Sequence, residues 1–413
     1  MTDDSLGVGF VGAGFITDTF HVPSFERVRD AHVAGVMNPT VSKAESVADD
    51  ARAAGCGDPS AYGDVRDLVR DPEVEALWVA APNHVRVETV EAVVEEFENG
   101  ADLRGIAVEK PLARTLAEAE RVVDLVESTG LPHAYLENQV HMPAVERTKE
   151  LLWEAAGESG RPYLARAAEE HSGPHAAWFW DGEKQGGGVL SDMMCHSHEA
   201  NRHLLSSPDG YDLTPVAVSA EASTLKWARE EYADELAAEY DVDYRERPAE
   251  DYARASVFYE TPDGELVVGE ATNSWCFVGE GLRISVELLG PEYSGRIDTL
   301  ESGTDVFFSD DAAGDTGYVV EKQEASRGGM SVLPDEVVTY GYLAQNRRVV
   351  SAFREGENAR EDLRDGLEVV RLCMASYRAA ETGERVDLAD ADLSEYVPAP
   401  ARGEFETGPD AVR

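Results

Sequence analysis

"LGVGFVGAGFIT", residues 6–17, decides the fold. Its first half is an apolar run of strand length. Its second half is a glycine turn, Gly12-Ala13-Gly14, followed by Phe15, Ile16 and Thr17. Glycine lets the backbone turn tightly and approach a pyrophosphate. The helix N-terminus that follows offers free N–H groups and partial positive charge. The stretch therefore reads as the strand–turn–helix of a dinucleotide-binding fold. Thr17 stands where a third Gly or Ala is usual, which either loosens the packing of helix on strand or adds a hydroxyl.

Outward from this turn, strands and helices alternate. "AHVAGVMN" (31–38), "VEALWVAAPN" (74–83), "RGIAVEKP" (104–111) and "PHAYLEN" (132–138) read as strands, with amphipathic helices such as "LAEAERVVDLVEST" (116–129) between them. Such alternation implies right-handed βαβ units and a parallel sheet. We assign residues 1–150 to this first domain. From about 160 the pattern changes. "PYLARAAEEHS", "AVSAEASTLKW", "ASVFYET", "GELVVGEATNSW" and "LRISVELLG" read as strands with alternating faces and little helix between them, hence an antiparallel sheet. The second domain is placed at 151–395. The acidic segment 227–250 is expected as a surface insertion, and 396–413 as a loose tail.

Charge limits the partners. The chain of 413 residues carries 81 acidic and 36 basic side chains, a formal net charge of −45. Such a surface repels nucleic acid and anionic membranes, and no apolar run is long enough for a membrane helix. The first residues, MTDDSLGVGF, carry acids where a secretory signal has basic residues, so a cytoplasmic protein is expected. Lysine is scarce: Lys43, Lys110, Lys149, Lys184, Lys226 and Lys322. Acid excess with scarce lysine resembles proteins of the salt-loaded cytoplasm of halophiles, where a Debye length of about 3 Å near 1 M salt screens the self-repulsion. Cys56, Cys195, Cys276 and Cys373 show no metal or disulfide spacing and read as small buried side chains.

The second strand ends at Asn38, where an NAD site usually places Asp or Glu to bond the ribose hydroxyls. Asn does not repel a 2′-phosphate, and Thr40, Ser42 and Lys43 follow. NAD and NADP both remain open, with a lean to NADP.

Five motifs now stand in one order: "GFVGAGFITDTFHVPSF", "AAPNHVRVETV", "VEKPLA", "GGGVLSDMMCHSHEA" and "ASYRAAETGERVDL". Together they resemble the Gfo/Idh/MocA oxidoreductase family, over roughly residues 5 to 392. The resemblance implies an α/β protein: an N-terminal Rossmann domain plus a C-terminal α+β domain with an open, mostly antiparallel sheet. It implies a cofactor site at Gly12, Gly14, Phe15, Ile16, Asn38, Lys43, Ala81, Pro82, Asn83, His84, Glu109, Lys110 and Asn138. It implies a cis bond before Pro111 and a catalytic Lys110. An ammonium beside a reacting hydroxyl lowers that hydroxyl's pKa and stabilises the alkoxide.

The family's D-x-x-x-H pattern falls on Asp192 and His196. Histidine suits a general base for an alcohol proton, and Asp192 one turn earlier either shares the hydroxyl or holds the imidazole. Glu199 and His203 continue the face. Over eleven residues a rigid helix spans about 16 Å, so one ion reaches only two of these four groups, and no metal is expected.

Upstream, "EEHSGPHAAWFWDGEKQGGG" sets aromatic faces beside polar groups, as a sugar needs. His171, Trp178 and Trp180, with Lys110, Asp192 and His196, are the substrate candidates, the Trp rings reading otherwise as core or interface anchors. Arg86 reads either as an attractor for a sugar acid or as one half of a structural salt bridge, and Tyr342 and Asn346 as weaker pocket candidates. The reading is an NAD(P)-dependent oxidoreductase acting on a secondary alcohol of a sugar, polyol or sugar derivative, as a homodimer or homotetramer. Its rivals are a glycoside-cleaving enzyme that oxidises its substrate transiently and a non-catalytic nucleotide-sensing regulator of the same fold.

Overall fold

β1 (Leu6–Val11) is buried at every residue, and its apolar run fills the middle of a parallel sheet. The computed structural model describes residues 5–301, 303–308, 321–322 and 328–408. β2 (Ala31–Met37), β3 (Gly57–Tyr62), β4 (Ala76–Val79), β5 (Gly105–Glu109) and β6 (His133–Leu136) complete the six-stranded sheet. Their order is β3-β2-β1-β4-β5-β6 and every pair is parallel. This is the dinucleotide-binding order, whose ligand crevice lies at the carboxyl ends of the strands where the order reverses, beside β1. β3, "GDPSAY", has no apolar run and was not foreseen. It forms the sheet edge, where Pro59 is tolerated.

The chain divides into two compact units. The first comprises Met1–Pro143 and Tyr340–Val370, the second Ala144–Thr339 and Arg371–Arg413. The first domain is therefore not the single stretch 1–150 expected from the sequence. Instead the helix Tyr342–Glu355 returns to it, with Phe353 set edge-on to Trp78 at 5.7 Å.

In the second unit, β7 (Leu164–Glu170), β8 (Thr214–Ser223), β9 (Tyr252–Glu260), β10 (Leu266–Ser274), β11 (Arg283–Leu289) and β12 (Ser294–Asp298) form a sheet. β13 (Asp305–Phe308) and β14 (Gly328–Ser331) pair separately, and β15 (Val386–Asp387) closes the large sheet as its seventh strand. The order is β12-β11-β7-β10-β9-β8-β15, antiparallel except for β7 with β10. Alternation in β7 turns Ala165, Ala167 and Glu169 inward, and the helix Cys195–Leu205 packs on β7 and β10. The opposite face carries an ion-pair ladder. Arg166 bridges Glu270 and Glu287 at 2.7 and 3.1 Å, and Arg283 bridges Glu170 and Asp298 at 2.9 and 3.2 Å.

Segment 227–250 is not simply a surface insertion. Its helix, Glu230–Tyr240, buries Ala233 and Leu236, and Trp227, Tyr244, Ala249 and Glu250 are buried around it. The segment 396–413 is not loose where it is described. Ala399 and Pro400 are buried in a short helix, Ala399–Arg402, and the Ala399 N–H donates to Glu381 at 2.6 Å. Residues 409–413 of the expected tail lie outside the described residues. Among the described residues no helix is long and apolar enough to cross a membrane.

Candidate active site

The glycine turn is shaped as a phosphate cradle requires. Gly12 has φ +108°, and a Cβ on it would lie 2.7 Å from the Ala80 carbonyl oxygen. Only glycine allows that approach. A Cβ on Gly14 would meet nothing within 4 Å, so the space over this backbone is open. Phe15 is exposed and Ile16 half-buried beside it. Thr17 is buried and its hydroxyl donates to the Gly12 carbonyl at 2.7 Å, so the departure from a third glycine ties the turn together. The turn Thr17–His21 that follows is π-helical. Open backbone over Gly14 at a helix start fits a dinucleotide's pyrophosphate.

Asn38, at the end of β2, lies with its side-chain oxygen 3.5 Å from the Ala13 amide and donates to the Thr40 carbonyl at 3.1 Å. Lys43 is exposed in the first turn of the helix Val41–Ala53. Ala81 and Asn83 are buried after β4, Pro82 and His84 half-buried. Asn138 gives its amide nitrogen to the Tyr340 carbonyl at 2.7 Å, so this predicted cofactor contact is tied to its own unit.

Lys110 is half-buried at the end of β5, and its bond to Pro111 is cis. Glu109 was expected at the cofactor. Its carboxylate is instead buried in the unit, where Oε2 accepts the Lys110 N–H at 2.9 Å and Oε1 lies 2.8 Å from His21 Nε2. Arg86 is buried too, donating to the Pro111 carbonyl and, at 2.7 Å, to that of Ala81. It clamps the two turns together from within the unit, with its charge close to Glu109. Asn346 and Tyr342 are buried in this unit's core: the Trp78 indole donates to Asn346 at 2.9 Å, and Tyr342 stacks on Phe20 at 4.6 Å.

Asp192 and His196 lie in the second unit. Leu190–Met194 forms a π turn that runs into the helix Cys195–Leu205, so counting faces at 3.6 residues fails across Asp192. Every residue of that helix is buried, and it has no solvent-facing polar side. Its N-terminal approach is fixed by Glu250, whose Oε1 accepts the N–H groups of Gly188 and Leu190 at 2.9 and 3.0 Å and the Tyr377 hydroxyl at 2.6 Å. A Cβ on Gly187 would fall 1.8 Å from that hydroxyl, which accounts for the middle glycine of the run. Its C-terminal carbonyls each receive a side-chain donor: His203 from Lys149 at 2.6 Å, Leu204 from Trp153 at 2.9 Å and Leu205 from Arg161 at 2.9 Å. Carbonyls that have no partner within a helix are thereby satisfied.

Between these ends, His196 Nε2 lies 3.8 Å from Glu169 Oε2, with both side chains buried. Asp192 Oδ2 accepts the Trp275 indole N–H at 3.3 Å. Glu199 is held in a two-bond pair with Arg202 at 2.8 and 2.9 Å, which takes it out of the predicted row. His198 faces Ser376 at 3.1 Å, and burial pushes its pKa down to about 3, so it packs as a neutral ring. Among the described residues no three His, Cys, Asp or Glu side chains gather as metal ligands.

The substrate candidates separate. Trp178 is half-buried and stacked on Phe179 at 3.8 Å. His171 is buried and its Nδ1 accepts the Gly173 N–H at 2.9 Å. Trp180 corrects the expectation: only 2% exposed, it packs against Trp227, Tyr244 and Trp275 at 4.9, 5.6 and 5.2 Å. It is a core ring behind Asp192, not a platform for sugar. Glu169 was missed, although an acid at an inward position of an alternating strand was a readable signal.

Comparison with known proteins agrees with this architecture. The model described as "Oxidoreductase family, NAD-binding Rossmann fold" matches residues 6–135, and the "GFO/IDH/MocA C-terminal domain" matches 146–292. Levoglucosan dehydrogenase of Pseudarthrobacter phenanthrenivorans is 28% identical over 216 residues, 49% of this chain and 51% of that protein. The chain thus spans about half the length of that relative, as it does of others. D-xylose 1-dehydrogenase (NADP(+)) 2 of Haloferax volcanii is 25% identical over 391 residues, 92% of this chain and 99% of that protein. The crystal structure of GenD2 from gentamicin A biosynthesis in complex with NAD shares the fold, with TM-score 0.74 at 24% identity over 94% of this chain and 97% of that one. With one family model on the parallel sheet and the other on the antiparallel one, the chain belongs to the Gfo/Idh/MocA oxidoreductase family.

Proposed function

We propose that this chain is an NAD(P)-dependent dehydrogenase acting on a secondary alcohol of a sugar, polyol or sugar derivative. The bound nicotinamide supplies the carbon that accepts or returns the hydride. The turn Gly12–Gly14, Asn38 and the 81–84 turn would hold the dinucleotide. Neutral Asn38 with exposed Lys43 leans the choice to NADP.

His196 takes the alcohol proton, and the imidazolium that results faces the Glu169 carboxylate. Lys110 steadies the substrate oxygen as its proton leaves. Asp192, fixed by Trp275, bonds a substrate hydroxyl or holds the imidazole. Trp178 and His171 serve the sugar's carbon face and hydroxyls. The observation that carries the reading is the His196–Glu169 pair on a helix secured at both ends. Levoglucosan, D-xylose and D-glucosides, named by relatives, are the first substrates to test.

We further propose a cytoplasmic homodimer or homotetramer, with the Arg166–Arg283 ladder as the paired face. The test is a screen of sugars and sugar acids at high salt with both cofactors, read by nicotinamide reduction. Lys110→Met and His196→Asn should each lower kcat by about 10²- to 10⁴-fold with cofactor affinity intact. Parallel loss of cofactor binding would count against both roles.

A further inference from the structure

Glu109, the residue before Lys110, ends β5 with its carboxylate buried. One oxygen accepts Lys110's own N–H at 2.9 Å, and the other lies 2.8 Å from Nε2 of His21. His21 is completely buried at the end of the turn that follows the glycine cradle. Its other nitrogen, Nδ1, is 3.2 Å from the amide nitrogen of Asn346. That amide is oriented by the Trp78 indole, which donates to its oxygen at 2.9 Å, while its nitrogen donates to Ser24 Oγ at 2.7 Å. Burial alone would raise the Glu109 carboxyl. The His21 bond, with Lys110 and Arg86 close by, outweighs burial and brings it below its usual range. Glu109 is therefore an anion at neutral pH. An anion only accepts, so the hydrogen between the two lies on His21 Nε2.

Stability is a weak reason for this pair. Burying a charge and its partner costs desolvation, and apolar replacements of such pairs are often neutral or stabilising. What the pair does fix is the backbone of Lys110 and an anion near its ammonium.

We infer that His21 is a positioning residue for hydride transfer, acting through Glu109 on Lys110. The inference rests on the role proposed for Lys110. Nothing in it requires His21 to touch cofactor or substrate.

The test compares His21→Phe, His21→Gln and Lys110→Met in the full chain. It measures kcat, reduced-cofactor affinity by fluorescence, and melting temperature. His21→Phe should lower kcat by about 10²-fold, as a small misplacement of a reacting group does, with cofactor affinity within about twofold. His21→Gln presents an amide N–H to Glu109 and should recover most of the loss. If His21→Phe does not fold, His21→Asn takes its place, because its amide is too short to reach Glu109. Its kcat should then fall well below that of His21→Gln. Wild-type kcat in His21→Phe, or equal kcat in the Gln and Asn variants, while Lys110→Met is inactive, overturns the inference and leaves the role of Lys110 standing. Wild-type kcat in Lys110→Met overturns that role, and the inference with it.

Discussion

The Trp275 indole N–H donates to the Asp192 carboxylate at 3.3 Å. Trp275 follows β10 directly, is completely buried, and is backed by the Trp180 ring at 5.2 Å. An acid on the π turn is thus aimed by a side chain of the sheet beneath it. Trp275→Phe keeps the ring and removes the donor. A hydrogen bond to a charged group contributes about 1.5–3 kcal/mol, so kcat/KM should fall roughly 10- to 100-fold. Cofactor affinity should not change, and steady-state kinetics beside a binding titration checks both.

Lys149 is a second hold on the same helix. Its ammonium is buried and donates to the His203 carbonyl at 2.6 Å, at the helix end where a cation is favoured. Lys149→Met keeps the stem and removes the donor. Chemical denaturation should show a loss of about 1–3 kcal/mol, from an unmet carbonyl and a lost charge-assisted bond. An unchanged midpoint would mean that this cap contributes nothing.

Glu250 gives the helix N-terminus a pH signature. Burial raises its carboxyl to about 7, against the opposing pull of Tyr377 and the N–H groups of Leu190 and Gly188. The folded state therefore holds this proton more tightly than the unfolded chain does. Its contribution to stability is complete below the ordinary carboxyl range and is lost as pH rises through about 7. Glu250→Gln is neutral throughout. Between about pH 5 and 8, the wild type should lose melting temperature faster than Glu250→Gln. Parallel curves would remove Glu250 as the titrating group.

The parts of this molecule that were legible in the sequence are those where side chain and backbone tell the same story. β1 could be read because an apolar run meets a glycine turn, and β7, β9, β10 and β11 because their alternation has one inward face. β3 could not: "GDPSAY" is paired by its neighbour at a sheet edge and carries little burial signal of its own. The π turn under Asp192 was hidden because it depends on Glu250, some sixty residues away, binding the backbone of Gly188 and Leu190. Trp178 and Trp180 look alike in sequence, and only packing separates the half-buried ring from the core ring. Asn346 reads as a pocket group, and the role of Arg86 stays open, because a polar residue near a site gives no sign of the carbonyl or amide it satisfies.

A net charge of −45 sets the salt response. The Debye length falls from about 10 Å at 0.1 M to about 3 Å at 1 M, which screens repulsion among surface carboxylates but not the buried pairs. Melting temperature should climb with KCl over that range and level off. A flat or falling curve would detach the acidic composition from any adaptation to salt.

The most direct test of the account is a single-turnover experiment at high salt. Levoglucosan, D-xylose or a D-glucoside, each with deuterium on the carbinol carbon, is mixed with protein and oxidised cofactor. The account predicts that reduced nicotinamide appears with at least one of them, that deuterium slows its appearance, and that Lys110→Met and His196→Asn bind cofactor yet form almost none. Reduction at the wild-type rate in either variant, or cofactor bound without reduction by any sugar or sugar acid, would contradict it.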